Sequence, residues 1–230
     1  MTERVSAIIP TYNREAVLGS AVASLLAQEA VDLEIVIVDD GSTDGSVALG
    51  RDLQAAGLPI VLVEHETNQG VAAARNTGLA AANHPLILFL DSDDYLLPGA
   101  LTSLLLTLLE RPQRRVAYGW RREVRLPETR PLPQGAHLQH PGPIRKDPFV
   151  ASSLVRRDLF EEVGGFDQGL RSHEDLDWWS RIPDPKRSIG EFAGVTFHRG
   201  LGSDNLTLDL EDLRRSRLQW IRKRRQQARS

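Results

Sequence analysis

At 230 residues, with 41% hydrophobic and 26% charged side chains, the chain suits one large soluble domain with a real core. It contains no cysteine, which excludes disulfides, thiolate-held zinc and a thiol nucleophile. No apolar run reaches the roughly 20 residues that cross a bilayer, and the run at 5–10 is too short for a signal segment; the expected place of action is the cytoplasm, with a peripheral place at the inner face of the membrane left open.

The net charge of −3 hides an asymmetry. Residues 1–110 hold 4 basic and 15 acidic residues, a balance of −11, while residues 111–230 hold 24 and 16, a balance of +8. The first half has no lysine, so a lysine-bearing phosphate loop cannot be built there. A diphosphate bound to that half needs a divalent cation to offset the charge.

In chain order, residues 5–9 form an apolar run ended by Pro10, a buried strand. Residues 14–28 set Val17, Leu18, Ala21, Leu25 and Leu26 on one helical face. A second strand at 34–38 ends in acids, and Asp44 can cap the helix carrying Val47 and Leu53. A third strand follows at 60–63, then an alanine-rich helix at 70–82. A fourth strand at 86–90 ends at Asp91, and a leucine-rich helix spans 98–110 with Pro98 at its start. Such alternation of apolar strands with helices predicts a mostly parallel sheet covered on both faces. The second half differs. Residues 121–146 are rich in proline and glycine and read as a long loop or lid. A strand is expected at 148–155, a short helix at 157–163, a turn at Gly164-Gly165-Phe166, a helix from Ser172 to Arg181, a strand at 189–197 and a charged helix at 206–227.

In parallel sheets ligands bind beyond the carboxyl ends of the strands, and three polar clusters fall there: Thr11-Tyr12-Asn13, Asp39-Asp40-Gly41-Ser42 and Asp91-Ser92-Asp93-Asp94. Three carboxylates within four residues repel one another unless a cation sits among them, and an Asp-x-Asp turn suits Mg²⁺ or Mn²⁺; an acidic turn capping the next helix is the structural alternative. Asp39 and Asp40 can accept from a base or a ribose, or form a turn before a cap. Tyr12 suits the face of a base or a place on the rim. Arg75, one of four basic residues in its half, either meets the nucleotide or neutralises local acids. In Ser172-His173-Glu174-Asp175, Asp175 or Glu174 can act as the base for an attacking hydroxyl, while Ser172 and Asp175 also read as a capping box. At least one of Trp178 and Trp179 belongs to the core. His198, after the strand, offers a third metal ligand or a structural ring, and His137 and His140 are surface residues. The basic amphipathic C-terminal helix, with Arg214, Arg222 and Arg225 against Leu218 and Trp220, suits an anionic membrane, a second subunit or plain solvent.

The ordered set resembles family 2 glycosyltransferases of the A-type fold. It comprises residues 5–13 ending Pro10-Thr11-Tyr12-Asn13, residues 35–44 around Asp39-Asp40-Gly41-Ser42, Asn68-Gln69-Gly70 with Ala74-Arg75-Asn76, Phe89-Leu90-Asp91-Ser92-Asp93-Asp94, and Glu174-Asp175. The resemblance implies a single nucleotide-diphospho-sugar transferase domain over 1–205, with a nucleotide-binding half at 1–110 and an acceptor half at 111–205, followed by the basic helix at 206–230. It implies a nucleotide pocket lined by Pro10, Thr11, Tyr12, Asn13, Asp39, Asp40, Asn68, Gly70, Arg75, Asp91 and Ser92, with uridine the commonest base. It also implies Mn²⁺ or Mg²⁺ on Asp91 and Asp93, with Asp93 favoured and His198 as a further ligand. Asp175 would be the base of an inverting displacement. The partners implied are a nucleoside-diphosphate sugar and a carbohydrate or lipid-linked acceptor, with no nucleic acid; a homodimer is an open arrangement. The Gln-x-x-Arg-Trp pattern of processive members is missing, which disfavours a polymer-extruding synthase. Two alternatives remain open: a sugar-phosphate nucleotidyltransferase, which wants a glycine-rich basic loop where Pro10-Thr11-Tyr12-Asn13 stands, and a non-catalytic nucleotide-sugar binding protein.

Overall fold

The computed structural model describes residues 3–29, 31–125 and 142–201. In chain order the elements are β1 (Glu3–Thr11), α1 (Glu15–Leu26), β2 (Val31–Asp39), α2 (Ser46–Ala55), β3 (Ile60–Glu64), α3 (Val71–Ala81), β4 (Leu86–Phe89), β5 (Tyr95–Leu96), α4 (Ala100–Leu109), β6 (Val116–Arg125), β7 (Ile144–Arg145), a 3₁₀ turn (Val150–Ser152), β8 (Ser153–Arg156), α5 (Arg157–Val163), α6 (Glu174–Trp179), α7 (Pro185–Ser188) and β9 (Ile189–Leu201).

One nine-stranded sheet runs in the order β3-β2-β1-β4-β8-β6-β9-β5, with β7 beside β6. Side chains alternate across it as the period of two requires. Ala7, Ile9, Ile35, Ile37, Leu86 and Leu88 pack with Leu18, Leu25, Leu101 and Leu104 from α1 and α4. On the opposite face Ile8, Val36, Val38, Ile87 and Phe89 pack with Ala72, Ala74, Leu159, Phe160 and Trp178 from α3, α5 and α6. Both faces are covered, which is why these strands read as continuous apolar runs. On α1 the buried stripe is Leu18, Ala21, Val22 and Leu25, while Leu26 faces solvent.

The four strands β3-β2-β1-β4 are parallel, but β8 is antiparallel to both β4 and β6, β5 is antiparallel to β9, and β6 is parallel to β9. "Mostly parallel" therefore holds for the first half, and the whole sheet is mixed. The reason is connectivity: a parallel neighbour requires a long crossover, usually helical, and no described α-helix lies between β6 and β8.

Four local expectations are corrected. β1 continues through Pro10 to Thr11, because β4 pairs β1 only as far as Ile8, so Pro10 has a strand neighbour, Val38, on one side alone. Residues 121–125 extend β6 and 144–145 form β7; the prolines that suggested a loop begin at Pro127, and 126–141 lie outside the described residues, as do His137 and His140. The strand expected over 148–155 is a 3₁₀ turn followed by β8. His198 lies inside β9 rather than after a strand. The C-terminal helix expectation falls outside the described residues, and no described helix is long and apolar enough to cross a membrane.

Candidate active site

The carboxyl ends of β1, β2 and β4 converge. Thr11 stands opposite Asp39, the Asp40 amide donates to the Thr11 carbonyl at 2.7 Å, and the Leu90 amide donates to the Ile8 carbonyl at 3.0 Å. The three polar clusters thus share one sheet edge.

Asp39 is buried. Its Oδ1 accepts from the Ser42 amide at 2.8 Å, and its Oδ2 has no hydrogen-bond partner among the described residues. A buried acceptor left open is costly and calls for a ligand or water. Asp40 is different. Its Oδ1 meets the Gln69 amide at 2.9 Å and His65 Nδ1 at 2.7 Å, and its Oδ2 accepts from the Gly70 amide at 2.7 Å. His65 Nε2 in turn lies 2.9 Å from the Thr77 hydroxyl. The Asp40 carboxylate is therefore turned into the fold, where its oxygens hold three protein donors and brace the start of α3. Gly70 takes φ 92° to make this turn. Gly41, at φ 75°, passes so close to the Thr67–Asn68 backbone that a Cβ would lie 2.7 Å from the Thr67 carbonyl carbon, and Asn68 itself is exposed.

Tyr12 is exposed on the rim, Thr11 and Pro10 are buried, and Asn13 is a latch: its Oδ1 accepts from the Thr43 amide and its own amide donates to the Ser42 hydroxyl, both at 2.8 Å. Asp44 precedes the N-cap of α2 and serves two helices, accepting from the Ser46 amide at 2.9 Å and from the Glu15 amide of α1 at 3.1 Å.

In the acidic turn Ser92 is buried, and the Asp94 amide closes on the Asp91 carbonyl at 2.9 Å. Asp94 is buried, with Oδ1 accepting from the Gly200 amide of β9 at 2.9 Å and Oδ2 unpartnered; burial and its two acidic neighbours hold its carboxyl well above the usual range. Burial and the Asp91 charge push Asp93 up to about 6, against the pull of Arg14 and Arg199. His198 Nδ1 lies 2.7 Å from the Tyr95 hydroxyl, and burial with the Arg122 charge brings its ring down to about 4, so it is neutral at pH 7.

Arg75 is the hub. It is 3% exposed and ends between two carboxylates, with one guanidinium nitrogen 2.8 Å from Asp91 Oδ1 and another 2.5 Å from Glu174 Oε1. The Phe166 ring lies 5.5 Å from its guanidinium carbon. Burial alone would lower its affinity for the proton, but Asp91 and Glu174 raise it. Of the two sequence readings of Arg75, the neutralisation of acids is the one the contacts display. Glu174 is buried in that pair, with its pKa raised by burial, whereas Asp175 is partly open to solvent and accepts from the Leu176 amide at 2.7 Å. The capping box is not formed: the N-cap of α6 is His173, in the left-handed region at φ 66°, and the Ser172 hydroxyl instead meets its ring at 3.1 Å. Trp178 is core, with Trp179 packed partly buried beside it.

Sequence reasoning missed His65 and Thr77, which carry no motif, and the approach of Arg199 and Arg122, which depends on the pairing of β6 with β9 that sets Arg122 opposite His198. It also missed the clamp between Asn76 and Phe166, whose side-chain amide and backbone exchange two hydrogen bonds of 2.8 Å.

Residues 6–164 match the family described as Glycosyl transferase family 2. The chain belongs to that family. Among its relatives is the succinoglycan biosynthesis protein ExoU of Rhizobium meliloti, 30% identical, with 91% of this chain and 67% of the relative covered. The fold is shared with Staphylococcus aureus TarS in complex with UDP-GlcNAc (TM-score 0.72, 20% identity, 90% of this chain and 61% of that one). It is shared also with the mannosyltransferase PcManGT of Pyrobaculum calidifontis in complex with GDP-Man and Mn²⁺ (TM-score 0.75, 18% identity, 98% and 65%). The chain spans 54 to 67% of the length of the curated relatives it matches over most of its own length.

In this family 2 chain, no group of three or more histidines and acids is gathered to hold an ion among the described residues. The three-ligand set of Asp91, Asp93 and His198 is thus not preformed, because His198 is held in β9 against Tyr95. The donor set still fits Mg²⁺ or Mn²⁺, which bind through one or two carboxylates and complete their shell with substrate phosphates and water. Burial and the neighbouring Asp91 charge both raise the proton affinity of Asp93, and a cation placed there would favour the ionised carboxylate.

Proposed function

We propose that the chain is the catalytic domain of a glycosyltransferase that moves a sugar from a nucleoside-diphosphate donor, a UDP-sugar, onto a carbohydrate or lipid-linked hydroxyl with inversion. The observation that carries this reading is the Asp91–Arg75–Glu174 bridge, which links the acidic turn on β4 to the segment bearing Asp175 across two halves of the chain. Family membership and the nucleotide-sugar complexes of TarS and PcManGT support the donor class.

In this reading Thr11, Asn68, Gly70 and the open Asp39 Oδ2 border the base and ribose, with Tyr12 on the rim. Asp93, with Asp91, would hold the divalent cation, which when bound supplies positive charge to the donor diphosphate. Asp175 takes the proton of the acceptor hydroxyl as that oxygen attacks the anomeric carbon. The bond from the anomeric carbon to the diphosphate oxygen breaks on the opposite face, and the nucleoside diphosphate leaves with the electron pair. Glu174, committed to Arg75, is set aside as the base.

The test is Asp175→Asn with a panel of nucleotide sugars and Mn²⁺. Turnover should fall by about 10²- to 10⁴-fold while UDP binding is retained. Full turnover in that variant removes Asp175 from the mechanism, and indifference of the unaltered protein to every nucleotide removes the donor site.

A further inference from the structure

The geometry points to Arg75 as a positioning residue that couples occupation of the acidic turn to the placement of the base. The inference rests on the donor and base assignments above.

The first turn of α6 has little else to hold it. The helix is six residues long and has no side-chain cap, and a helix that short is not stable on its own. Its far end is anchored by the fully buried Trp178 and by Asp177, which pairs with Arg181 at 3.1 Å. Its near end, where Asp175 stands, is anchored by Glu174 at 2.5 Å from Arg75. The same guanidinium holds Asp91 at 2.8 Å, so one cation serves two carboxylates on separate elements. Asp91 is the more open of the two, its side chain 26% exposed against 8% for Glu174. It therefore faces the ligand side of the bridge.

A divalent cation arriving with a diphosphate draws on Asp91 and repels Arg75. Both effects move the positive charge of Arg75 toward Glu174, which tightens the anchor of α6 and fixes Asp175 once the donor is in place. The coupling is reciprocal by linkage. A chain without the Glu174 carboxylate leaves Arg75 wholly to Asp91, and Asp91 is then less available to the cation.

Two variants and two readouts test this: Glu174→Gln and Arg75→Lys, each followed by calorimetric titration with UDP and Mn²⁺ and by amide exchange of the segment 172–181. In the unaltered protein UDP with Mn²⁺ should slow exchange in 172–181. Glu174→Gln should weaken UDP–Mn²⁺ binding by about five-fold, at the low end of ordinary coupling, and lose the exchange response. Arg75→Lys, whose point charge satisfies one carboxylate at a time, should still bind UDP–Mn²⁺ while 172–181 no longer responds. A Glu174 that merely supports α6 would lower the melting temperature and leave UDP–Mn²⁺ affinity alone. Unchanged affinity in Glu174→Gln, or an intact exchange response in Arg75→Lys, overturns the coupling; should Glu174→Gln fail to fold, Arg75→Lys decides. If the unaltered protein binds UDP–Mn²⁺ with no change at 172–181, the coupling alone is wrong. If it does not bind at all, the donor assignment falls and takes the coupling with it.

Discussion

Asp40→Asn separates a brace from a ligand contact. The side chain is 4% exposed, and its two oxygens meet three donors: the Gln69 and Gly70 amides and His65 Nδ1. Asparagine offers one oxygen. Whichever way the new amide turns, its NH₂ faces at least one backbone N–H that has no other acceptor in view. A hydrogen bond to a charged acceptor is worth about 1.5–3 kcal/mol, and a buried donor left unpaired adds about 1–3 kcal/mol. The expected loss is about 3 kcal/mol, which for a domain of this size is roughly 6–12 °C in melting temperature. Thermal and urea unfolding measure it, with UDP titration alongside. Unchanged stability with lost UDP affinity refutes the bracing role and returns Asp40 to the nucleotide pocket.

Three further outcomes are expected. Asp93→Asn should abolish any Mn²⁺-dependent rise in melting temperature seen with UDP, while the unaltered protein loses the same rise in EDTA; a persistent Mn²⁺ effect in Asp93→Asn would place the cation elsewhere. Gly78→Ala sets a helix gain of about 1 kcal/mol against overpacking of about 1–3 kcal/mol. The added Cβ would lie 2.3 Å from Ile8 Cγ2 and 3.2 Å from Val38 Cγ2, both fully buried, so a net loss of about 1 kcal/mol is expected, and neutral or raised stability in urea would mean that α3 slides freely on the sheet. Glu34 should give an acid-dependent stability. Burial alone would raise its pKa, but hydrogen bonds from Ser6 and Asn83 hold it below its ordinary 4.5. Since the folded value is the lower one, the stabilisation is present above pH 4.5 and is lost as pH falls through the folded value. Glu34→Gln should flatten stability against pH below 4.5, and an unchanged slope there would show that the pair contributes nothing.

What could be read from the sequence follows from what is local. The order of β1 to β4 with their helices is legible because Ala7, Ile8, Ile35, Val36, Ile87 and Leu88 are apolar on both faces, and only a strand covered twice has that pattern. The polar residues at the ends of β1, β2 and β4 were legible for the same reason, since a strand end marks a sheet edge. The direction in which those polar side chains turn is not local. Asp39 and Asp40 are neighbours in sequence with the same chemistry, yet one leaves an oxygen open and the other is absorbed by α3, because successive strand residues point to opposite faces. Arg75 meets Glu174 across 99 positions, and no periodicity spans that distance. The end of β6 was hidden by the company it keeps: the prolines from Pro127 onward colour the stretch from 121, although Val124 is a strand residue buried in the sheet.

The charge asymmetry gains its meaning in three dimensions. From composition, an acidic half of −11 needs a metal ion to accept a diphosphate. In the fold, part of that need is met by the chain itself. Arg75 answers Asp91, and the Gly200 amide answers Asp94. Arg199, beside Gly200 on β9, acts on both Asp93 and Asp94, while burial, together with Arg122 opposite it, keeps the His198 ring neutral. The positive half of the sequence is thus wrapped against the negative half at the one edge where a phosphate would sit. Of the three aspartates in the turn, Asp93 makes no direct hydrogen bond or ion pair to another described residue, and burial with the Asp91 charge outweighs the pull of Arg14 and Arg199 on it. In the proposed reading a cation would be needed at one carboxylate rather than across a whole acidic surface. That is a site which one or two protein ligands plus a diphosphate can complete, and in which binding of ion and nucleotide should be mutually dependent.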